Sequence, residues 1–131
     1  MEQKTPEAME KLIREDGRYP PEAFAFLHEG LAKAMQQAHG KEAGPGEQRH
    51  VTGQQICHAL REIAIERWGQ LAGAVLGKWN IQGTIDFGNM VFLLVNAGFM
   101  RARPEDSVED FRDVYDFREA FDRAEDFDIQ Q

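Results

Sequence analysis

Apolar residues recur every three or four positions through most of this chain, the spacing of one face of an α-helix. Glycines and prolines interrupt the pattern between the apolar stretches, where helices are expected to end or begin. Thr52-Gly53-Gln54-Gln55 has the form of a capping box, in which the threonine and the glutamine each bond an amide of the first turn. The predicted helices cover about Thr5–Glu15, Pro21–Ala38, Gly53–Trp68, Gln70–Trp79 and Ile85–Ala97. Thr5 and Thr84 are predicted to cap the first and the last of these helices.

The predicted helix over residues 85–97 differs from the others because apolar side chains lie on nearly all of its sides. Its polar members are only Asp86, Asn89 and Asn96. A helix of this kind is buried, either in the core of its own domain or against another subunit. The pattern therefore predicts a central helix, and it leaves open a homodimer formed through residues 85–97.

The residues that follow fit two structures. Ser107-Val108-Glu109-Asp110 has the form of a second capping box, and the apolar positions after it fit a helix. A two-residue spacing in the same segment also fits a strand, so a hairpin could pair residues 99–101 with residues 114–116. Together with a helix-turn-helix pattern over residues 70–100, this predicts a compact, mainly α domain, winged-helix-like with a small C-terminal β-hairpin.

The length of 131 residues predicts a single domain. We divide it into a helical body at residues 1–103 and an acidic, aromatic segment at residues 104–131, packed on or extending from that body. The body holds 12 basic and 12 acidic residues. The segment holds three arginines against 11 acids, a net of −8, which is the formal charge of the whole chain.

Aromatic side chains surrounded by carboxylates are typical of a surface that binds a basic protein, because rings anchor an interface and charge steers the partner. We therefore predict a non-enzymatic interaction or adaptor module with a basic protein partner. The anchors would be Phe111, Tyr115, Phe117 and Phe121, and the steering residues Asp110, Asp113 and Asp116.

Two alternatives stay open. A winged-helix DNA-binding regulator would need cations on one face, and the candidates are Arg61, Arg67, Lys78, Arg101 and Arg103. Residues 85–97 contain no lysine or arginine, and a segment of net charge −8 repels phosphate, so both features argue against nucleic acid. A small enzyme would use Cys57 with His50 or His58 as a nucleophile pair.

Other chemistry finds little support in the residues. Glycine-rich phosphate loops and closely spaced Cys/His ligand pairs are missing from the sequence, so we predict no cofactor and no metal. The longest apolar run, Met90–Val95, is too short to span a membrane. The single cysteine indicates a reducing, cytoplasmic setting.

Several short motifs resemble one family. They include Thr52-Gly53-Gln54, Asp86-Phe87-Gly88, Asp110-Phe111 and Tyr115-Asp116-Phe117. The chain is similar to a family of short uncharacterised bacterial proteins that is largely confined to the Planctomycetes–Verrucomicrobia group. The resemblance covers roughly residues 7–123. It implies a cytoplasmic bacterial protein and transfers no site residue, cofactor or activity.

Overall fold

The computed structural model describes residues 5–40 and 50–121, and within these ranges the regular structure is entirely helical. The mainly α prediction is therefore confirmed. Two 3-10 helices, Gly69–Leu71 and Val108–Phe111, accompany the α-helices. The α-helices of the described part are α1 (Pro6–Asp16), α2 (Pro21–His39), α3 (Gly53–Trp68), α4 (Ala72–Lys78), α5 (Thr84–Asn96) and α6 (Phe117–Phe121).

Two of the predicted helix starts are formed by the side chains that the sequence indicated. Thr5 Oγ1 accepts a hydrogen bond from the Ala8 amide at 3.0 Å at the start of α1. At the start of α3, Thr52 Oγ1 accepts from the Gln55 amide at 3.1 Å, and Gln55 Oε1 accepts from the Thr52 amide at 2.8 Å. The capping box is thus complete, and α3 covers the predicted residues Gly53–Trp68.

Helices α2 and α3 lie antiparallel and form the main layer of the fold. Contacts between them run in opposite numerical order: Glu29 pairs with Arg67, and Lys33 lies 3.7 Å from Glu62 further along. The helices approach closely at Gly30, where an added Cβ would collide with the side chain of Leu60. A glycine is needed there because the leucine occupies the space that a side chain would take.

Phe111 joins α3 to α5 and is 3% exposed. Its ring lies against the backbone of Gly53 at the start of α3 and of Gly88 in α5. A Cβ at Gly88 would lie 2.8 Å from the Cβ and Cγ of Phe111, and one at Gly53 would lie 3.0 Å from its ring. We call this arrangement the Phe111 wedge. It explains why both helices carry a glycine at the contact.

Thr84 fixes the backbone around the wedge. The sequence predicted this residue as the cap of α5, but α5 begins at Thr84 itself, and its side chain is 2% exposed. The hydroxyl donates to the Phe111 carbonyl at 2.6 Å and accepts from the Val114 amide at 3.0 Å. The Thr84 side chain therefore contacts a distant segment, and Asp86 caps α5 instead.

The predicted β-hairpin is wrong, and with it the wing of a winged helix. Residues 99–101 and 114–116 form turns and irregular structure, and residues 5–40 and 50–121 contain no strand. The Ser107 capping box does form, but it begins the short 3-10 helix Val108–Phe111. The Phe111 side chain is buried between two helices, so this segment binds the body through side chains and not through a strand ladder.

Residues 104–121 complete the core of the same domain. Phe121 is 1% exposed and its backbone lies against Gly73 in α4. Phe117 contacts Phe87 of α5, with ring centroids 6.0 Å apart, and Phe121, with centroids 4.8 Å apart. The division at residue 103 therefore marks a change of charge, whereas the hydrophobic core extends across it.

A partly buried hydrogen-bond cluster connects the turn after α1 to α5. The Tyr19 hydroxyl donates to Asp86 Oδ1 at 2.5 Å, and Asn89 Nδ2 donates to the Tyr19 oxygen at 3.2 Å. The other oxygen of Asp86 accepts from the amides of Gln82 and Gly83, which caps α5. Burial and the Asp86 hydrogen bond raise the pKa of Tyr19 to about 12.

Within the two described ranges, no helix combines the length and the apolar character needed to cross a bilayer.

Replacing Gly88 by alanine should destabilise the fold by about 1–3 kcal/mol, because the new Cβ would overlap Phe111. The matched control is Gly77→Ala in α4, where an added Cβ meets nothing within 4 Å. Helix propensity alone then predicts a gain of up to about 1 kcal/mol for the control. Denaturant unfolding measures both variants, and equal free-energy changes would contradict the wedge.

The raised pKa of Tyr19 predicts a loss of stability at high pH. The folded pKa of about 12 exceeds the ordinary value of 10.0, so the contribution is complete below pH 10 and disappears as pH rises through 12. The Tyr115→Phe variant leaves Tyr19 as the sole tyrosine, and its tyrosinate absorbance should then have a midpoint near pH 12. A midpoint near 10 in the folded protein would show that the hydroxyl is accessible to water.

Candidate functional site

The four predicted anchors lie mainly inside the protein. Phe111 and Phe121 are core residues, so neither ring is presented to a partner in this fold. Tyr115 and Phe117 are half-buried and their rings stack with centroids 6.0 Å apart. The Tyr115 hydroxyl donates to the Cys57 carbonyl at 2.9 Å, and burial raises the pKa of Tyr115. These rings hold the C-terminal segment on α3 and α5.

The three predicted steering residues have different surroundings. Asp110 is half-buried and accepts the Ser107 amide at 3.0 Å. Asp116 is exposed and accepts the amides of Arg118 and Glu119 at the start of α6. Asp113 is exposed, with a left-handed backbone at φ 49°. All three remain able to attract a cation, and Asp110 also lines a cavity.

That cavity is an apolar groove of about 860 Å³ between α1, α2, α5 and the chain that follows α5. Its volume falls in the range of pockets that bind ligands, ~300–1,000 Å³. Phe111 and Ile13 belong to the core beneath it. Half-buried apolar side chains form much of its surface, among them Met9, Leu31, Met35, Val51, Phe92, Val95 and Met100.

Charged residues at the edge of the groove are mostly acidic. Glu10 of α1 and Glu29 of α2 contribute carboxylates on one side. Asp106 and Asp110 contribute two more from the segment after α5, and among the described residues that line the groove Arg101 is the one cation. With histidines neutral, this set carries a net charge of −3. We call these five residues the acidic rim.

Some of the rim carboxylates already have partners within the protein. Glu29 pairs with Arg67, which holds the pKa of that carboxyl below its usual range. Asp106 Oδ2 accepts the Arg103 amide at 2.8 Å, and its other oxygen lies 3.4 Å from His50 Nε2. These contacts hold the carboxylates of Glu29 and Asp106 in place before a partner arrives.

Sequence reasoning missed the groove because it is assembled from separate elements. The sequence did contain one signal for the groove. Helix α5 is apolar on nearly all sides, so one of its faces lies outside the central core, and its half-buried Phe92 and Val95 line the groove. The methionines gave no such signal, because Met9, Met35 and Met100 come from α1, α2 and the segment after α5. Only the packing of these elements brings them together.

The cations proposed for DNA contact are spread over different parts of the surface. Arg67 pairs with Glu29, and the Arg61 guanidinium lies 5.9 Å from the centre of the Tyr115 ring. Lys78 lines a second cleft with Arg14 and Arg18, while Arg101 lies on the acidic rim. This distribution, and the missing wing, leave the winged-helix regulator without structural support.

Cys57 cannot serve as the nucleophile of a Cys/His enzyme. Its side chain is 0% exposed in the core, and burial raises the pKa of the thiol from 9.0 to about 12. The thiol is therefore protonated at neutral pH, whereas a nucleophilic cysteine needs a thiolate that substrate can reach. His58 follows Cys57 on α3 but is exposed to solvent.

Across the described ranges, no three histidine, cysteine or acidic side chains are arranged to hold a metal ion.

Comparison with known proteins found no matching family model, no matching curated protein and no matching solved structure. The resemblance to a bacterial family therefore stays a prediction.

The buried thiol predicts that Cys57 resists labelling in the folded protein. At pH 8 a water-soluble disulfide reagent should react with it only as the chain unfolds, and denaturant should expose one equivalent of thiol. Because labelling requires unfolding, the rate should rise in the less stable Gly88→Ala variant and should stay equal to the wild type or fall in the Gly77→Ala variant. Immediate labelling of the native protein would revive the enzyme hypothesis.

Proposed function

We propose that this protein is a non-enzymatic interaction module that binds a basic partner protein at the apolar groove and its acidic rim. The observation that carries the proposal is the combination, at one place, of a cavity of about 860 Å³ with four carboxylates and one arginine. Protein interfaces combine a hydrophobic centre with a polar rim. Complementary charge then accelerates encounter and selects the partner.

The roles of the predicted site residues change in this proposal. The partner supplies the apolar anchors, and this chain supplies the cavity that receives them. Phe111 supports the groove from the core, and Asp110 belongs to the rim. Asp113 and Asp116 add to the negative field from outside the groove, since residues 104–121 hold seven acids against two arginines.

A cytoplasmic setting is part of the same proposal. Its support is the single cysteine, which fits a reducing compartment.

Self-association through residues 85–97 is the competing interpretation of the groove, because Phe92 and Val95 of α5 line it.

Neutralising the rim should abolish partner binding. The triple variant Glu10→Gln, Asp106→Asn, Asp110→Asn keeps hydrogen-bond acceptors at the two aspartates that cap backbone amides. Its matched control is Glu15→Gln, Glu62→Gln, Glu66→Gln, which changes the net charge equally at exposed positions that do not line the groove. Each immobilised protein is incubated with a bacterial lysate, and retained proteins are identified by mass spectrometry.

The wild type and the control should retain the same small set of basic proteins, and the rim variant should lose it. Retention should weaken as salt increases, because screening shortens the range of exposed charges. Equal loss in both triple variants would show that only net charge matters, and equal retention in both would remove the rim from the binding site. Either result contradicts the proposal.

A further inference from the structure

We infer that the groove receives an amphipathic α-helix of the partner whose apolar face is flanked by lysine or arginine. This inference rests on the proposed function and names the structure and chemistry of what binds. Helix-in-groove recognition places residues at positions i, i+3, i+4 and i+7 of one helix into an apolar channel. The shape, the side chains and the charge of this groove each favour such an occupant.

The shape of the groove is elongated. Helix α2 contributes to it at every turn over the 15 residues from Pro21 to Met35, and these ends lie about 21 Å apart at 1.5 Å per residue. A partner helix lying alongside would therefore make contact over roughly four turns, or about 14 residues. The α2 residues that follow this line are Pro21, Phe24, Ala25, His28, Leu31 and Met35.

The side chains of the groove can adapt to a helix surface. Met9, Met35 and Met100 line it from three separate elements, and all three are half-buried. Methionine is unbranched and its thioether is polarisable, so it fills irregular gaps between the side chains of a bound helix. Surfaces rich in methionine are used by proteins that bind helices of varied sequence.

The charge of the rim selects among the occupants that would fit an apolar channel. A fatty acid or an anionic lipid would place its negative head group near a rim of net charge −3, and the like charges would repel. A second copy of this chain would bring two such rims together across a symmetric interface, each on a molecule of net charge −8. Lysines or arginines beside an apolar stripe would instead face carboxylates of α1 and α2 and of the segment after α5.

The test uses the full chain and three labelled synthetic peptides, each about 18 residues long so that four helical turns are exceeded. The first has leucines at helical spacing flanked by lysines. The second replaces every lysine by glutamate, and the third rearranges the first so that its leucines surround the helix. Fluorescence anisotropy measures the affinity of each peptide. The first should bind at least roughly tenfold more tightly than either of the others.

A matched pair of protein variants locates the binding site. Ala25 is exposed on α2 and lines the groove, whereas Ala74 is exposed on α4 and does not. Ala25→Arg and Ala74→Arg change the net charge equally. Because both positions are exposed, neither substitution should disturb the packing of the core. The first should weaken binding of the basic peptide by roughly tenfold or more, and the second should leave it within about twofold.

Several results would overturn the inference. Equal affinity for the basic and the rearranged peptide would exclude helix recognition, and equal affinity for the acidic peptide would exclude the role of the rim. Equal weakening by the two arginine variants would place the binding elsewhere. A dimer in sedimentation that Ala25→Arg converts to a monomer would assign the groove to a second copy, and saturable binding of a fluorescent fatty acid that excludes the peptide would assign it to a lipid.

The two levels of the proposal can fail separately. If the rim variant loses basic partners from the lysate but no peptide binds, the interaction module stands and its partner presents some other structure. If the basic peptide binds in the groove but the lysate experiment shows no dependence on the rim, the groove recognises helices while the proposed partner class is wrong.

Discussion

The contact of Phe111 with two glycines is the constraint on which the rest of this structure depends. The ring occupies the space that side chains at Gly53 and Gly88 would fill, so α3 and α5 meet through it. The buried Thr84 hydroxyl bonds the Phe111 carbonyl and the Val114 amide, which fixes the backbone on both sides of the turn. The turn between the 3-10 helix Val108–Phe111 and α6 is thereby attached to α5.

The groove is a consequence of the same arrangement. The chain leaves α5, passes Met100 and Arg101, and returns to bury Phe111, so it forms one side of a channel whose other side is α1 and α2. Because Asp106 and Asp110 lie on this return, the acidic character of the C-terminal segment reaches the groove edge. Within residues 104–121, the aromatic residues pack on the core, and the carboxylates are exposed or half-buried.

How far the sequence predicts this protein depends on the distance over which each interaction acts. The Thr5 and Thr52 caps and the Ser107 capping box are completed within three residues, and all three formed as the local sequence indicates. Thr84 looked equally like a local cap, yet its hydroxyl bonds residues 27 and 30 positions away. The period-two pattern after Phe111 was misleading for the same reason. It matched a strand, but Tyr115 contacts α3 and Phe117 contacts α5, and both contacts are with distant parts of the chain.

The candidate site shows the same limit. The sequence by itself determined the helices, the caps at Thr5 and Thr52, the buried character of α5 and the concentration of negative charge after residue 103, since periodicity and composition are local properties. Only the tertiary structure decided that the aromatic residues point inward, that Cys57 is sealed from solvent, and that methionines from three elements line one groove. A cavity is bounded by residues far apart in the chain, and its existence depends on how helices pack, which no local pattern records.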